Sequence, residues 1–223
     1  MLIEFEYCQN ILESIHGRRA KSIFHVGAHT GEEIHSYTAS GIDRVVWFEA
    51  NPQLIEPLSR HIGAYPSVQQ IICPFALSDA NQHGIEFNIA SNCQSSSLLA
   101  PTLHLKHYPW ITFDEKITVS TYRLDSLLAL SPSVLSWREF QFLNIDTQGS
   151  ELKVLRGMGD TIKNPSLIGI YLEVNYESLY DQIPLIAEID SYLLSFEFVR
   201  LVTKWTKEGW GDALFVRTLD AFV

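Results

Sequence analysis

Five places along the chain hold residues that can bind or react, and each follows a short apolar run. Phe24-His25-Val26 leads into Gly27, Ala28, His29, Thr30 and Gly31, and Val46-Trp47-Phe48 ends in Glu49. Phe75-Ala76-Leu77 ends in Ser78 and Asp79, Leu143-Asn144-Ile145 ends in Asp146, Thr147, Gln148 and Gly149, and Tyr171-Leu172 ends in Glu173, Val174 and Asn175. Glycine is costly in a strand, so the pair at 27 and 31 asks for a geometry that a side chain would forbid. A ligand approaching the backbone is one such geometry; a tight strand-to-helix turn without a ligand is another. His29 stands where a dinucleotide fingerprint has its second glycine, and Glu32 stands where a phosphate loop has lysine. Glu32 and Glu33 would repel a diphosphate and tolerate a ligand carrying positive charge. Glu49, eighteen residues after Gly31, is placed to accept both hydroxyls of a ribose, or is an ordinary glutamate at a strand end.

These residues need elements to hold them. Apolar positions Ile3, Tyr7, Ile11 and Ile15 predict a leading helix over 3–16. Strands are predicted at 22–26, 44–50, within 68–78, at 139–146 and at 166–174, with helices at 31–39, from Asn51 and Pro52 onward, after Ser150, and at 183–194. Pro57 is expected to weaken or shorten the helix it falls in. Residues 83–90 and 117–122 alternate and predict an antiparallel pair. The 26 residues between them, serine-rich and then aromatic, read as a lid or binding loop. Residues 196–202 and 213–218, around Lys207-Glu208-Gly209-Trp210-Gly211-Asp212, predict a closing hairpin. Strands and helices alternating this regularly imply one α/β domain over 1–223, its mostly parallel sheet covered on both faces, with a hairpin and lid inserted at 80–122. In such a sheet ligands bind beyond the strands' carboxyl ends, where the reactive residues fall.

Composition narrows the function. The 223 residues carry sixteen basic and twenty-six acidic side chains, a formal net charge of −10, which argues against wrapping nucleic acid. Cys8, Cys73 and Cys93 are scattered and have no metal-type spacing, and no ligand cluster suits zinc. No run is long and apolar enough for a membrane span, and the acidic start is unlike a signal peptide. A soluble, cytoplasmic protein without a resident metal is expected; nothing sets an oligomeric state.

Taken together, "FHVGAHTGEE", "VVWFEANPQL", "FALSD", "SNCQSSSLL", "YRLDSLL", "FLNIDTQGSELKVLRGM", "IYLEVNYESLY" and "GDALFV" resemble the FkbM-type family of S-adenosylmethionine-dependent methyltransferases, in family order from about residue 24 to 216. The run 142–158 is the most specific of them. The resemblance implies a Rossmann-like class I methyltransferase fold, a mostly parallel sheet with a final antiparallel strand. It implies S-adenosylmethionine as cofactor and a hydroxyl of a small-molecule or saccharide-like acceptor. Residues 27–31, with Gly27, Ala28, His29 and Gly31, would cradle the cofactor's methionine part; Glu49 would hold its ribose. Ser78 and Asp79 would lie near the adenine, and Asp146 near the methionine part or the acceptor.

Methyl transfer is an in-line displacement that needs alignment, exclusion of water and a base near the acceptor hydroxyl. Asp146, Glu173, His104 and His107 are the choices, with Asp146, Glu173 and His107 taken as the catalytic set. The Gln94–Ser97 run could donate hydroxyls to the substrate or cap a turn; Trp205 and Trp210 could wall the acceptor or cover a sheet edge. The chain departs from the family at His25, where Asp is common, at Asn144, where Lys is common, and at Thr147-Gln148, where Val-Glu is common. The other readings are an NAD-dependent oxidoreductase, which lacks its glycine fingerprint here, and a non-catalytic nucleoside-binding or interaction protein on the same scaffold.

Overall fold

Runs rich in Val, Ile and Phe form the strands of the central sheet, and the amphipathic segments between them form its helices. The computed structural model describes residues 1–130 and 139–219. In chain order the main-sheet strands are β1 (Ser22–Val26), β2 (Arg44–Phe48), β3 (Gln69–Cys73), β7 (Phe142–Ile145), β8 (Gly169–Asn175), β9 (Phe198–Trp205) and β10 (Trp210–Arg217). They lie in the order β3-β2-β1-β7-β8-β10-β9. The pairs from β3 through β8 are parallel, and β10 runs antiparallel to both β8 and β9. β8 is buried along its whole length, as expected of a strand covered on both faces.

The helices are α1 (Phe5–His16), α2 (Ile34–Ala39), α3 (Pro52–Ile62), α4 (His104–His107), α5 (Leu124–Leu130), α6 (Glu151–Gly157) and α7 (Ile186–Leu194). Two apolar clusters fill the two faces of the sheet. One joins Phe24, Phe48, Leu143, Ile145 and Leu172 to α6 and α7; the other joins Ile23, Trp47, Phe142 and Leu214 to α1, α2 and α3. Asn51 caps α3 as expected, its Oδ1 accepting from the Gln53 amide at 3.0 Å. Pro57 does not interrupt α3, because the Gln53 carbonyl it leaves without a helix donor is on an exposed residue.

The structure departs from the sequence reading at four points. The segment 68–78 is not one strand: after β3 the chain turns, and β4 (Ala76–Leu77) joins a second sheet of order β4-β6-β5, with β5 (Gln82–Ile89) and β6 (Glu115–Tyr122) the expected antiparallel pair. The second helix starts at Ile34 rather than at 31, since Gly31 sits at φ +75°. The short helix α5 was not foreseen. Ser150 occupies the cap position of α6 without capping it, and its Oγ has no partner. Among the described residues no helix is long and apolar enough to cross a membrane.

Candidate active site

The strand order reverses between β2-β1 and β1-β7, so the loops after β1 and β7 part at that point and open a crevice. Val26 pairs with Ile145, which places Gly27 beside Asp146. The Gly27 and Ala28 amides donate to the Phe48 carbonyl at 2.9 and 3.0 Å, and the Asp146 amide donates to Val26 O at 2.9 Å. The backbones meet so closely that a Cβ on Gly27, at φ +84°, would lie 1.7 Å from the Asp146 carbonyl oxygen. Gly27 is therefore required by close approach of the two loops.

Two clefts share this crevice. The larger, about 430 Å³, is lined by Gly27, Ala28, His29, Asp146 and Gln148, by His25 and Glu33 on one side, and by Glu173, Asp212 and Trp210 on the other. The smaller is lined by Phe48, Glu49, Asn51, Leu54, Phe75, Ala76, Leu77 and Phe87. Gly27, His29, Gln94, Asp146 and Gln148 line both. The larger cleft takes five acidic side chains, Glu32, Glu33, Asp146, Glu173 and Asp212, against the Met1 amino group, and among the described residues no lysine or arginine lines either cleft. A cationic ligand suits this charge, and the diphosphate of NAD does not.

Glu49 is buried at the end of β2. Its Oε2 accepts from the His29 amide and its Oε1 from the Asn51 amide, each at 2.7 Å. Burial raises its carboxyl above the usual range, and these amides oppose the rise. Each oxygen keeps a further lone pair for a ligand hydroxyl. Beside it the Nδ2 of Asn51 and the Oγ of Ser150 are buried without partners, both on residues lining the smaller cleft. Apolar walls, a bidentate acceptor and two unpaired polar atoms fit an adenosine; the acidic larger cleft fits a sulfonium and an ammonium. S-adenosylmethionine joins those groups in one molecule.

The remaining predicted residues divide. His29 is half-buried at φ 46°, its Nδ1 paired with Glu32 Oε1, which raises the imidazole's pKa. Gly31 lines neither cleft: a Cβ there would meet Leu58 and Ile62 of α3 at 2.8 and 2.7 Å, so it serves packing. Ser78 and Asp79 also lie outside both linings. Their backbone passes α6, where a Cβ on Gly157 would be 2.0 Å from Ser78 O, and the Ser78 hydroxyl donates to Asp79 Oδ1 at 3.2 Å. His107 points away as well, with Nε2 3.3 Å from Glu177 Oε2. His104, one turn earlier, is buried and lines the larger cleft with its Nδ1 unpartnered. Trp210 lines the same cleft, its Nε1 donating to Tyr108 OH at 2.8 Å, whereas Trp205 packs on the exposed ring of Tyr176.

Asp146 and Glu173 meet through Gln148, whose Nε2 donates to Asp146 Oδ1 at 2.8 Å and Glu173 Oε2 at 2.7 Å. Tyr180 fixes that amide's orientation: its hydroxyl donates to Ser95 O at 2.9 Å and Gln148 Oε1 at 3.2 Å. Surrounding protein pushes the Asp146 carboxyl up to about 6, against the Gln148 amide and with Asp212 and Glu33 adding to the rise; water at the cleft mouth tempers it. Glu173 is buried and stands well above the carboxylate range, first from desolvation and then from Asp146, Glu151 and Asp212. Among the described residues, no three His, Cys, Asp or Glu side chains are grouped to hold a metal ion.

Sequence reasoning missed Asp212 and Glu151. Asp212 accepts from the Tyr171 hydroxyl and faces the larger cleft from β10. Glu151 is buried, and its Oε1 accepts from Thr147 N and Oγ1 and from Gly149 N at 3.0 to 3.1 Å, shaping the loop that carries Gln148. The Glu151 carboxylate follows Asp146 by five residues inside the 142–158 run, and that spacing was its available signal. The serine-rich segment folds onto this loop: Ser97 Oγ donates to Gln148 O at 2.7 Å and accepts from Leu99 N, and Ser96 Oγ accepts from Ala90 N.

Comparison with known proteins gives the family and the fold. The chain matches the Methyltransferase FkbM domain family over residues 25–200. It is 31% identical over 182 residues to the 2-O-methyltransferase NoeI of Sinorhizobium fredii (strain NBRC 101917 / NGR234), covering 77% of this chain and 68% of that protein. Its fold is similar to that of magnesium protoporphyrin IX methyltransferase ChlM from Synechocystis PCC 6803 with bound SAM, at TM-score 0.51 and 9% identity, covering 96% of this chain and 75% of that one. Protein PH1948 from Pyrococcus horikoshii is similar at TM-score 0.52 and 10% identity, covering 98% and 84%.

Proposed function

The chain belongs to the FkbM methyltransferase family and is an S-adenosylmethionine-dependent methyltransferase; we propose that its one domain methylates a hydroxyl of an uncharged, saccharide-like small molecule. The observation that carries the acceptor's charge is the larger cleft, whose acidic side chains outnumber its one amino group, that of Met1, with no lysine or arginine among the described lining residues, so that it would repel an anionic acceptor. The 2-O-methyltransferase name of the relative from Sinorhizobium fredii supports a hydroxyl target. The free thiols of Cys8, Cys73 and Cys93 suit a reducing cytoplasm.

The cofactor supplies an electrophilic methyl group on sulfur when bound. In our reading Glu49 takes the ribose hydroxyls, Asn51 Nδ2 donates to the nucleoside, and the Gly27 loop lies against the methionine part. Asp146, a solvent-exposed cleft carboxylate joined through Gln148 to Glu173, is the base that receives the acceptor proton. Glu173, which burial keeps protonated, donates to an acceptor oxygen and orients it. His104, neutral because burial lowers its pKa, replaces His107 as the histidine facing the acceptor.

Production of S-adenosylhomocysteine with a panel of neutral sugars tests the acceptor class; turnover restricted to phosphorylated or carboxylated sugars would refute it. Asp146→Asn should lower kcat by about 10²- to 10⁴-fold, the usual worth of a positioned base, with cofactor affinity little changed. Unaltered kcat would remove Asp146 from the base role.

A further inference from the structure

Strand β1 brings His25 to the place where the family resemblance leads one to expect a carboxylate. The hydrogen bonds around its ring fix what it can do. Asn144 Nδ2 donates to the Tyr37 hydroxyl at 2.7 Å, so that hydroxyl turns its own proton to His25 Nδ1 at 3.0 Å. Nδ1 is then an acceptor, and the ring proton sits on Nε2. Nε2 lies 4.0 Å from Glu33 Oε2, and the ring also interacts with the Gly27 backbone. The ring is buried beside Trp47, with centroids 4.9 Å apart, and burial holds the imidazole neutral. His25 therefore brings no negative charge to the cleft.

Glu33, one residue before α2, does. Its side chain is 19% exposed and lines the larger cleft with Gly27, Ala28 and Asp146. Neighbouring Glu32 is occupied within the loop by His29 Nδ1 and by the Thr30 hydroxyl at 2.9 Å. Glu33 Oε1 is ion-paired with the Met1 amino group, which also lines this cleft, at 3.7 Å, and its Oε2 lies 4.0 Å from His25 Nε2. The Met1 contact is longer than a charge-assisted hydrogen bond, so this cleft carboxylate keeps the capacity to bond a second ammonium, from a ligand.

We propose that Glu33, backed by the Nε2–H of His25, binds the ammonium of the cofactor's methionine part, so that this carboxylate comes from the start of α2 rather than from β1. The proposal rests on the cofactor reading above. It gives the departure at position 25 a physical meaning: a neutral donor replaces the acid in β1, and a glutamate eight residues later carries the charge.

Calorimetric titration with two probes tests it: S-adenosylhomocysteine, and 5′-methylthioadenosine, which lacks the amino-acid part. Glu33→Gln should weaken S-adenosylhomocysteine by about 10- to 100-fold, the range of a charge-assisted hydrogen bond. It should leave methylthioadenosine within about twofold, since that probe makes no ammonium contact. Adding His25→Asp to Glu33→Gln should recover part of the lost affinity. If Glu33→Gln does not fold, Glu33→Asp keeps the charge on a shorter arm and should weaken S-adenosylhomocysteine alone. Unchanged S-adenosylhomocysteine binding overturns the proposal. So does an equal loss of both probes with a lowered melting temperature, the mark of a residue that only anchors the chain near Met1. Failure of the unmodified protein to bind either probe would instead overturn the cofactor reading itself.

Discussion

At the residue scale, Gln148 sets the charge state of the site. Its amide donates to Asp146 and Glu173 at once, stabilising negative charge on whichever carboxylate is ionised. A carboxylate in its place would add a third acid to the group and lose both donors. Gln148→Glu should therefore raise the apparent pKa of the acid limb of kcat/KM by about one unit, because like charges disfavour ionisation. The rate falls as pH drops through that limb, since a protonated Asp146 cannot accept a proton. A pH–rate profile of the two enzymes checks this, and an unmoved limb would disconnect Gln148 from the reacting pair. Glu49, Asp146 and Glu173 could be singled out from sequence because each ends an apolar run. Gln148's role could not, since it depends on a left-handed φ of 54° and on Tyr180, thirty-two residues away.

At the element scale, strand–helix alternation revealed most of the sheet, while local pattern could not distinguish two glycines with different duties. Gly27 and Gly31 both have positive φ, but Gly27 faces backbone and Gly31 faces the tips of Leu58 and Ile62. Gly27→Ala should destabilise the fold by more than about 1 kcal/mol, and should impair cofactor binding because the loops after β1 and β7 must separate. Gly31→Ala also strains a positive φ, but its steric neighbours are flexible side-chain ends, and cofactor affinity should survive in the folded fraction. Thermal melts with calorimetry on both variants separate the two; equal loss of affinity would return Gly31 to the site. The same limit hid β4. Ala76 and Leu77 continue an apolar run in sequence, and only the turn after Cys73 sends them to pair with Thr121 and Tyr122.

At the scale of the whole molecule, the sheet gathers acids from β7, β8, β10 and the segment before α2 around one opening, so that folding confines negative charge. Glu151 and Glu173, both buried, have carboxyls raised above their usual values by desolvation, Glu151 to about 7, whereas Asp146, exposed at the cleft mouth, is screened by solvent and adds little. The folded state then binds protons more tightly than the unfolded chain through these groups. Their favourable contribution is complete below the ordinary carboxylate pKa and is lost as pH rises through their folded values. Glu32 works in the opposite direction: His29 and Thr30 hold it down at about 2, so its contribution is present above the ordinary value and lost as pH falls toward 2. These groups should make stability decline from about pH 5 toward pH 8, by roughly 2–4 °C in melting temperature for each kcal/mol lost. A cationic ligand relieves the same crowding, so S-adenosylmethionine should bind more tightly, and raise the melting temperature more, at pH 8 than at pH 6. Melting curves across that range, with and without cofactor, decide the matter. A melting temperature that climbs steadily from pH 6 to 8 without ligand would mean that these acids ionise freely in the folded protein and that the cleft does not concentrate their charge.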